Sequence, residues 1–339
     1  MTTSKFYFQT RPNHFWLVFF ISLISLGLGS YASLRFGAIR YSHQEVITIL
    51  AQPFLESQAQ NIIIDSRFPR LIAACLVGAG LATSGLITQA VTRNPISDPG
   101  LLGINAGAGL ALVLAYLLIK KPHYSFILLF CLIGASLAAL FVFGLAYQKK
   151  ASNHQIRLIL AGAMMTTLFS AIGQVITITN RLSTTIIGWQ SGGLVAVNWS
   201  MITFIAPFIL FGLGSALFFS HQLNLLNLEK SLSQALGQNI RRTQLLLLAI
   251  VLLLSASSVA LVGNLAFIGL LIPHLAKLVI RQHYQQLLPL TMLWGASFMV
   301  WIDLLCRMIN SPYETSLNAV VSLISLPSFL ILIRKEQNL

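Results

Sequence analysis

Apolar stretches of about 20 residues, separated by short polar breaks, run almost the whole length of the chain. A helix rises about 1.5 Å per residue, so roughly 20 apolar residues cover the ~30 Å hydrocarbon core of a bilayer. On this pattern the sequence predicts ten transmembrane helices, at about 14–34, 68–92, 98–119, 123–147, 156–179, 190–219, 243–263, 265–281, 286–308 and 315–333. No Gly/Ser-rich or charged linker divides them. The expected fold class is an all-α polytopic membrane protein, with residues 1–339 forming a single transmembrane domain.

The polar breaks carry the remaining information. In "RNPISDPGLLGINAGAG", Arg93 to Gly109, Pro95 lacks an amide proton and pushes Asn94 out of the helical region, which ends the second helix. Asp98 has the form of an N-cap and Pro99 of a first-turn residue, so the third helix is expected to begin there. Gly103 and Gly107 share one face, as do Gly78 and Ala82 in the preceding helix. Such faces let helices approach closely in lipid. Asn94, Pro95, Asp98, Pro99 and Gly100 thus read as a tight cytoplasmic turn between packed helices.

In "SRFPRL", Arg67 and Arg70 flank Pro69, which by its position should open the second helix at its external end. Cations there oppose the helix dipole, so something else must favour them. Two readings stand: snorkelling to lipid phosphates, or docking of an acidic partner on the outer face. Arg307, expected just beyond the ninth helix, would add a third cation, with Asp303 four residues earlier as a partner for it. The stretch "LNLLNLEKSLSQALGQNIRRTQ", Leu223 to Gln244, mixes polar and apolar positions and could form short amphipathic helices beneath the membrane or a solvated loop. In "GNLAFIGLLIPHLAKLVI", Gly263 to Ile280, glycines and Pro273 interrupt an apolar run that would cross only when surrounded by other helices. His274 within it is either a proton relay or a hydrogen-bonded structural histidine.

Composition agrees with the pattern. Hydrophobic residues make up 56% of the chain and charged ones only 9%, and the mean hydropathy is +0.80. The net charge of +13 is spread between apolar segments, which suits membrane flanks and excludes nucleic acid as a partner. With a cytoplasmic N-terminus, thirteen of the 21 Lys and Arg residues fall on the cytoplasmic side and eight outside, a positive-inside bias that places both termini in the cytoplasm. The first apolar run is expected to be an uncleaved helix, since no small-x-small cleavage site follows it. Cys75, Cys131 and Cys306 lie in or beside apolar segments without ligand-like spacing, so they read as packing residues. No phosphate loop of the form GxxxxGK[ST] is present and "WQSGGL", 189–194, is not an ATPase signature. No cofactor and no metal set is indicated, and any ATP hydrolysis must come from another chain. A secondary transporter, the rival class, would need intramembrane ionisable residues, for which Asp98 and Asp303 are the candidates.

The ordered motifs "RFPR" (67–70), "SGLITQAVTRNPISDPGLLG" (84–103), "LILAGA" (158–163), "LNLLNL…LG" (223–237), "FIGLLIPH" (267–274), "GASFMVWIDLLCR" (295–307) and "LPSFLILI" (326–333) resemble the FecCD-type permeases, over about residues 15–335. These are the membrane subunits of ABC importers for iron-siderophore complexes, haem and cobalamin. The resemblance implies a ten-helix subunit in the bacterial cell membrane that pairs with a second permease subunit around a central pathway. An extracytoplasmic substrate-binding protein would feed it, and two copies of a cytoplasmic ATP-binding subunit would drive it. It implies that Arg67, Arg70 and Arg307 dock the binding protein through salt bridges. It also implies that segment 223–242, with Leu225, Leu226, Leu236, Gly237, Arg241 and Arg242, couples to the ATPase. The "NPxxDPG" turn would lie beside the cytoplasmic exit, with Asn153 and Gln155 in the loop that carries the gate. Met164, Met165, Thr166, Thr167 and Gln174, together with Ser255, Ser257 and Ser258, would line a neutral pathway suited to a bulky chelate. Ferric hydroxamates are the expected cargo, with haem or cobalamin as alternatives. Glu229, Ala266 and the run "ETSLN…SLP" from Glu314 to Pro327 depart from the usual family residues, which favours one half of a heterodimeric pair.

Overall fold

In a computed structural model of the chain, the described residues are 12–52, 57–119, 121–146, 154–183, 186, 193–228, 230–280 and 283–337. They form helices joined by turns: α1 (Pro12–Arg35), a short α2 (His43–Ala51), α3 (Phe68–Thr92), α4 (Ile104–Leu118), α5 (Tyr124–Ala146), α6 (His154–Thr179), α7 (Trp199–Phe218), α8 (Ser220–Leu226), α9 (Lys230–Ala235), α10 (Ile240–Val262), α11 (Ile268–Val279), α12 (Tyr284–Ile309) and α13 (Leu317–Gln337). Among the described residues seven helices are long and apolar enough to cross a membrane, and α4, α11 and part of α13 are shorter apolar helices. Together these ten occupy the ten apolar stretches of the sequence.

The packing repeats itself. Helix α3 packs against α11 and α12, and α10 packs in the same way against α4 and α5; α4 packs on α5 and α6 as α11 packs on α12 and α13; α3 and α10 cross between the two sets. Each set contains one short helix preceded by a residue in the left-handed region, Gly103 (φ 75°) before α4 and Phe267 (φ 68°) before α11. The first turn of α4 meets the segment that leads into α11, since the Asn105 side-chain amide donates to the Leu265 carbonyl at 3.3 Å. An interrupted helix needs such contacts, because backbone groups freed in the bilayer must be satisfied by neighbouring protein.

Small residues set the closeness of these crossings. A Cβ added to Gly78 or Gly85 would collide with the backbone of Gly295 or Gly269, and Gly107 faces Gly134 in the same way. Ala82 also lies against Gly295. Gly103 differs from the expectation. Its nearest neighbours would sit at 3.6 Å from an added Cβ, and the residue is required by its positive φ rather than by packing.

Three sequence expectations about helix ends are corrected here. The third helix begins at Ile104, not at Asp98. Asp98 accepts a hydrogen bond from the Gly100 amide at 2.9 Å, closing a turn that continues through Gly103 before regular helix can start. Pro99 therefore lies in that turn and not in a first helical turn. Pro69 does not open the second helix, because a π-helical turn, Asn61–Arg67, runs directly into α3. The Phe68 amide bonds back to Ile63, so the chain is helical through the proline and Arg67 faces no free helix N-terminus. The sixth helix starts at Trp199 rather than at 190, and Asn198 caps it by accepting the Met201 amide at 3.0 Å. Outside the spans, Ser42 and Glu45 form a capping box on α2, and hydrogen bonds from the Ser42 backbone and side chain hold the Glu45 carboxyl below its usual range.

Candidate functional site

The chain presents three candidate regions: an arginine cluster where α3 begins, a cavity between α4, α6 and the α10–α11 junction, and the segment 223–242 where α3 ends. The first brings together all three arginines singled out in the sequence, but in a different setting from the one expected. Arg67, Arg70 and Arg307 are only 6–7% exposed. Arg70 donates through Nε to Asp303 Oδ1 at 2.8 Å and through both terminal nitrogens to Glu314, at 2.6 and 2.9 Å. Arg307 lies in the last turn of α12, where it pairs with Asp303 Oδ2 at 3.0 Å and donates to the Ser33 carbonyl and hydroxyl. Arg67 donates to the carbonyls of Leu34, at 2.6 Å, and Ile39, and stacks over the Tyr41 ring at 4.9 Å. The predicted Asp303–Arg307 pair is therefore present, but Asp303 serves two guanidiniums.

This arrangement follows from the elements. Arg67 and Arg70 project from consecutive turns of one continuous helix, while Asp303 and Arg307 are spaced i, i+4 on α12, which packs along α3. A buried cation requires partners for its donors, and the α1 C-terminus supplies carbonyls where no carboxylate reaches. A cavity of about 160 Å³ opens beside the three arginines, lined also by Gly37, Ile39, Ser66 and Glu314. Three cations against two carboxylates leave it one positive charge in excess. Arg307 does not emerge beyond the helix, and none of the three lies on an open surface.

The second region is a cavity of about 320 Å³ lined by α4, α6 and the residues around Asn264 and Asn318. Among the described residues its polar groups are Ser170, Gln174, Asn264 and Asn318, and none of those that line it is charged. Of the predicted pathway residues, Gln174 lines this cavity. Met164 is 65% exposed on α6, Thr167 is exposed with its hydroxyl bonded back to Ala163, and Thr166 bonds to the Gly100 carbonyl. Ser255, Ser257 and Ser258 are fully buried within α10 and are not among the residues that line this cavity. Asn318 also accepts the Ala266 amide at 3.4 Å, which ties the start of α13 to the start of α11. Asn264 carried no distinguishing signal in the sequence. His274 is buried against the Phe329 ring, with 5.7 Å between centroids.

At the other end of α3, segment 223–242 folds as α8, α9 and the first turn of α10. Arg93, left-handed at the end of α3, donates to the carbonyls of Leu226 and Leu228 at 2.9 and 3.0 Å. Asn224 accepts the Tyr284 amide at 2.8 Å. Leu226 is 1% exposed and Leu223 fully buried, so the face of α8 that carries them packs inward. Leu226, one of the residues expected to couple, is thus turned into the fold, while Leu232 and Leu236, at 50% and 57% exposed, face outward. Gly237 adopts φ 80°, and Arg241 and Arg242 are exposed. Near this end Lys277 is half-buried and donates to Gln89 at 2.6 Å. Asn153 lies outside the described residues, and Gln155 falls in the first turn of α6.

The sequence profile of the FecCD transport family matches residues 23–335. The chain belongs to the FecCD transport family. It is 36% identical over 325 residues to the Fe(3+)-citrate import system permease protein YfmD of Bacillus subtilis, covering 95% of this chain and 96% of that one. It is 32% identical to the iron(3+)-hydroxamate import system permease protein FhuB of the same organism, over 95% of this chain and 84% of the other. Among solved structures, a metal-chelate type ABC transporter in an inward-facing conformation superposes with a TM-score of 0.80 at 28% identity, covering 94% of this chain and 99% of that one. The chain is thus a multi-pass membrane permease of the iron-chelate ABC importers, and it is not an enzyme.

Proposed function

We propose that this permease carries an electroneutral ferric hydroxamate. The observation that supports this reading is the lining of the cavity between α4 and α6: its polar groups are serine and carboxamide, and among the described residues none that line it carries a fixed charge. Carboxamides can donate to the oxygens of a neutral chelate, whereas an anionic complex in such a site would lose hydration without an opposite charge in return. Ferric citrate is the second reading, favoured by the higher identity to the citrate permease. Uptake of radiolabelled iron by cells that depend on this chain tests the choice, supplied in turn as ferric trihydroxamate, ferric citrate and haem. Preferential uptake of the hydroxamate is the expected result; preferential uptake of citrate or haem overturns it.

Transport on this reading needs three partners. A second permease subunit covers α6 and α13, whose residues Met164, Val175, Leu323 and Ile331 are 60–76% exposed, and a heterodimeric partner is favoured. Two copies of an ATP-binding subunit in the cytoplasm drive the assembly, one of them engaging the 223–242 segment through Leu232, Leu236, Arg241 and Arg242, and on this reading both termini of the chain lie on that side. A substrate-binding protein docks outside at the arginine cluster, whose excess positive charge suits an acidic side chain.

A further inference from the structure

The two carboxylates on Arg70 are held very differently. Asp303 is 1% exposed, belongs to α12 and is shared with Arg307, so it is part of the scaffold. Glu314 has a side chain 34% exposed and belongs to the link 310–316 between α12 and α13. Its neighbour Tyr313 is 74% exposed. The link is pinned close by through the Thr315 amide, which donates to the Cys306 carbonyl at 3.1 Å. Glu314 also separates two cavities: the one containing the three arginines, and another of about 250 Å³ lined by Gly193, Leu194, Cys306, Thr315 and Leu317. Four residues beyond Glu314, Asn318 lines the cavity between α4 and α6 and holds the Ala266 amide.

We propose that Glu314 is a displaceable internal ligand of Arg70. It occupies the guanidinium that an acidic side chain of the outer partner would bind, and it holds the link and the start of α13 in place until that side chain replaces it. The geometry is the reason for choosing Glu314. A bidentate guanidinium–carboxylate pair is satisfied equally well by any carboxylate that reaches it in the same plane, and of the two present only Glu314 can leave without baring Arg307. Its departure frees the segment that carries Asn318, so docking at the outer end alters the lining of the cavity between α4 and α6. The proposal rests on the docking reading above and adds the identity of the group displaced.

Cys306 lines the cavity behind Glu314 and reports whether the link has moved. The test labels the full chain in proteoliposomes with a membrane-impermeant maleimide and follows Cys306 by peptide mass spectrometry, which separates it from Cys75 and Cys131. Glu314→Gln should raise the labelling rate about tenfold, as expected when a local opening becomes easier. A rate within about twofold of wild type at normal membrane abundance overturns the proposal. Should Glu314→Gln fail to accumulate, Glu314→Asp draws the charge back by one methylene and carries the same test, with wild-type labelling again overturning it. In the assembled importer, docking of the chelate-loaded binding protein should bring the wild-type rate up to that of Glu314→Gln. A docked complex with unchanged labelling overturns displacement while docking stands; absence of any complex removes the docking reading and this proposal together.

Discussion

The two ends of α3 hold basic residues in opposite ways. Where α3 begins, three arginines are sunk into the fold and spend their donors on Asp303, Glu314, Ser33 and backbone carbonyls. Where segment 223–242 meets α10, Arg241 and Arg242 stand exposed. Residue type does not separate the two groups, since all five are arginines. What separates them is the neighbour: α12 runs alongside the start of α3 and brings Asp303 with it, while α8 meets the far end of α3 through Arg93 and buried leucines. A buried charge is tolerable only with partners supplied in three dimensions, whereas an exposed one needs none.

Mutations can sharpen this contrast, beginning where the effect should be greatest. Asp303→Asn leaves Arg70 and Arg307 without their shared carboxylate, and breaking a buried pair costs about 3–5 kcal/mol; membrane abundance and the Tm of the detergent-purified protein should both fall. At the opposite end, Leu226→Ala should cost about 2–5 kcal/mol as a large-to-small change in a packed site, while Leu236→Ala should leave the Tm unchanged. A smaller loss, about 1 kcal/mol, is expected for Gly237→Ala, because there is open space around the site and only the positive φ resists a side chain. Least of all for stability should come Arg241→Glu combined with Arg242→Glu, within about 0.5 kcal/mol by thermal unfolding. The same double variant should nonetheless weaken co-purification with the ATP-binding subunit and lower uptake. If instead its Tm fell as far as that of Asp303→Asn, the supposed difference between the two ends would be gone.

Much of the membrane architecture was legible in the sequence. Apolar runs of bilayer length locate the helices, because backbone that crosses a bilayer must be helical or barrel-like and the side chains facing lipid must be apolar. The family motifs, from "RFPR" to "LPSFLILI", were equally legible. Less was legible at the helix ends. Asp98-Pro99 looks like a helix start and is a turn; "RFPR" looks like one and lies within a longer helix whose π-helical turn absorbs the proline. In both places several local geometries satisfy the same residues, and the choice depends on what packs beside them. The site residues divide in the same way. Gln174, expected in the pathway, does line the cavity between α4 and α6, whereas Asn264 went unmarked in the run "LVGNLAF", and Glu314 was noted only as the start of a run that departs from the family residues, since nothing local showed that it meets Arg70.

Sequence alone determined that this chain is a helical membrane permease of the iron-chelate family, since hydropathy of bilayer length and an ordered set of motifs are properties of the chain itself. Only the tertiary structure decided that Arg67, Arg70 and Arg307 are interior residues and that Asp303 is shared between two of them. It also decided that Leu226 packs inward while Leu236 faces out, and that the repeat pairs α3 with α11 and α12 as it pairs α10 with α4 and α5. The physical reason is that burial and ion pairing are relations between elements distant in the chain. Arg70 and Glu314 are separated by 244 positions, and no periodicity along the backbone records that they meet.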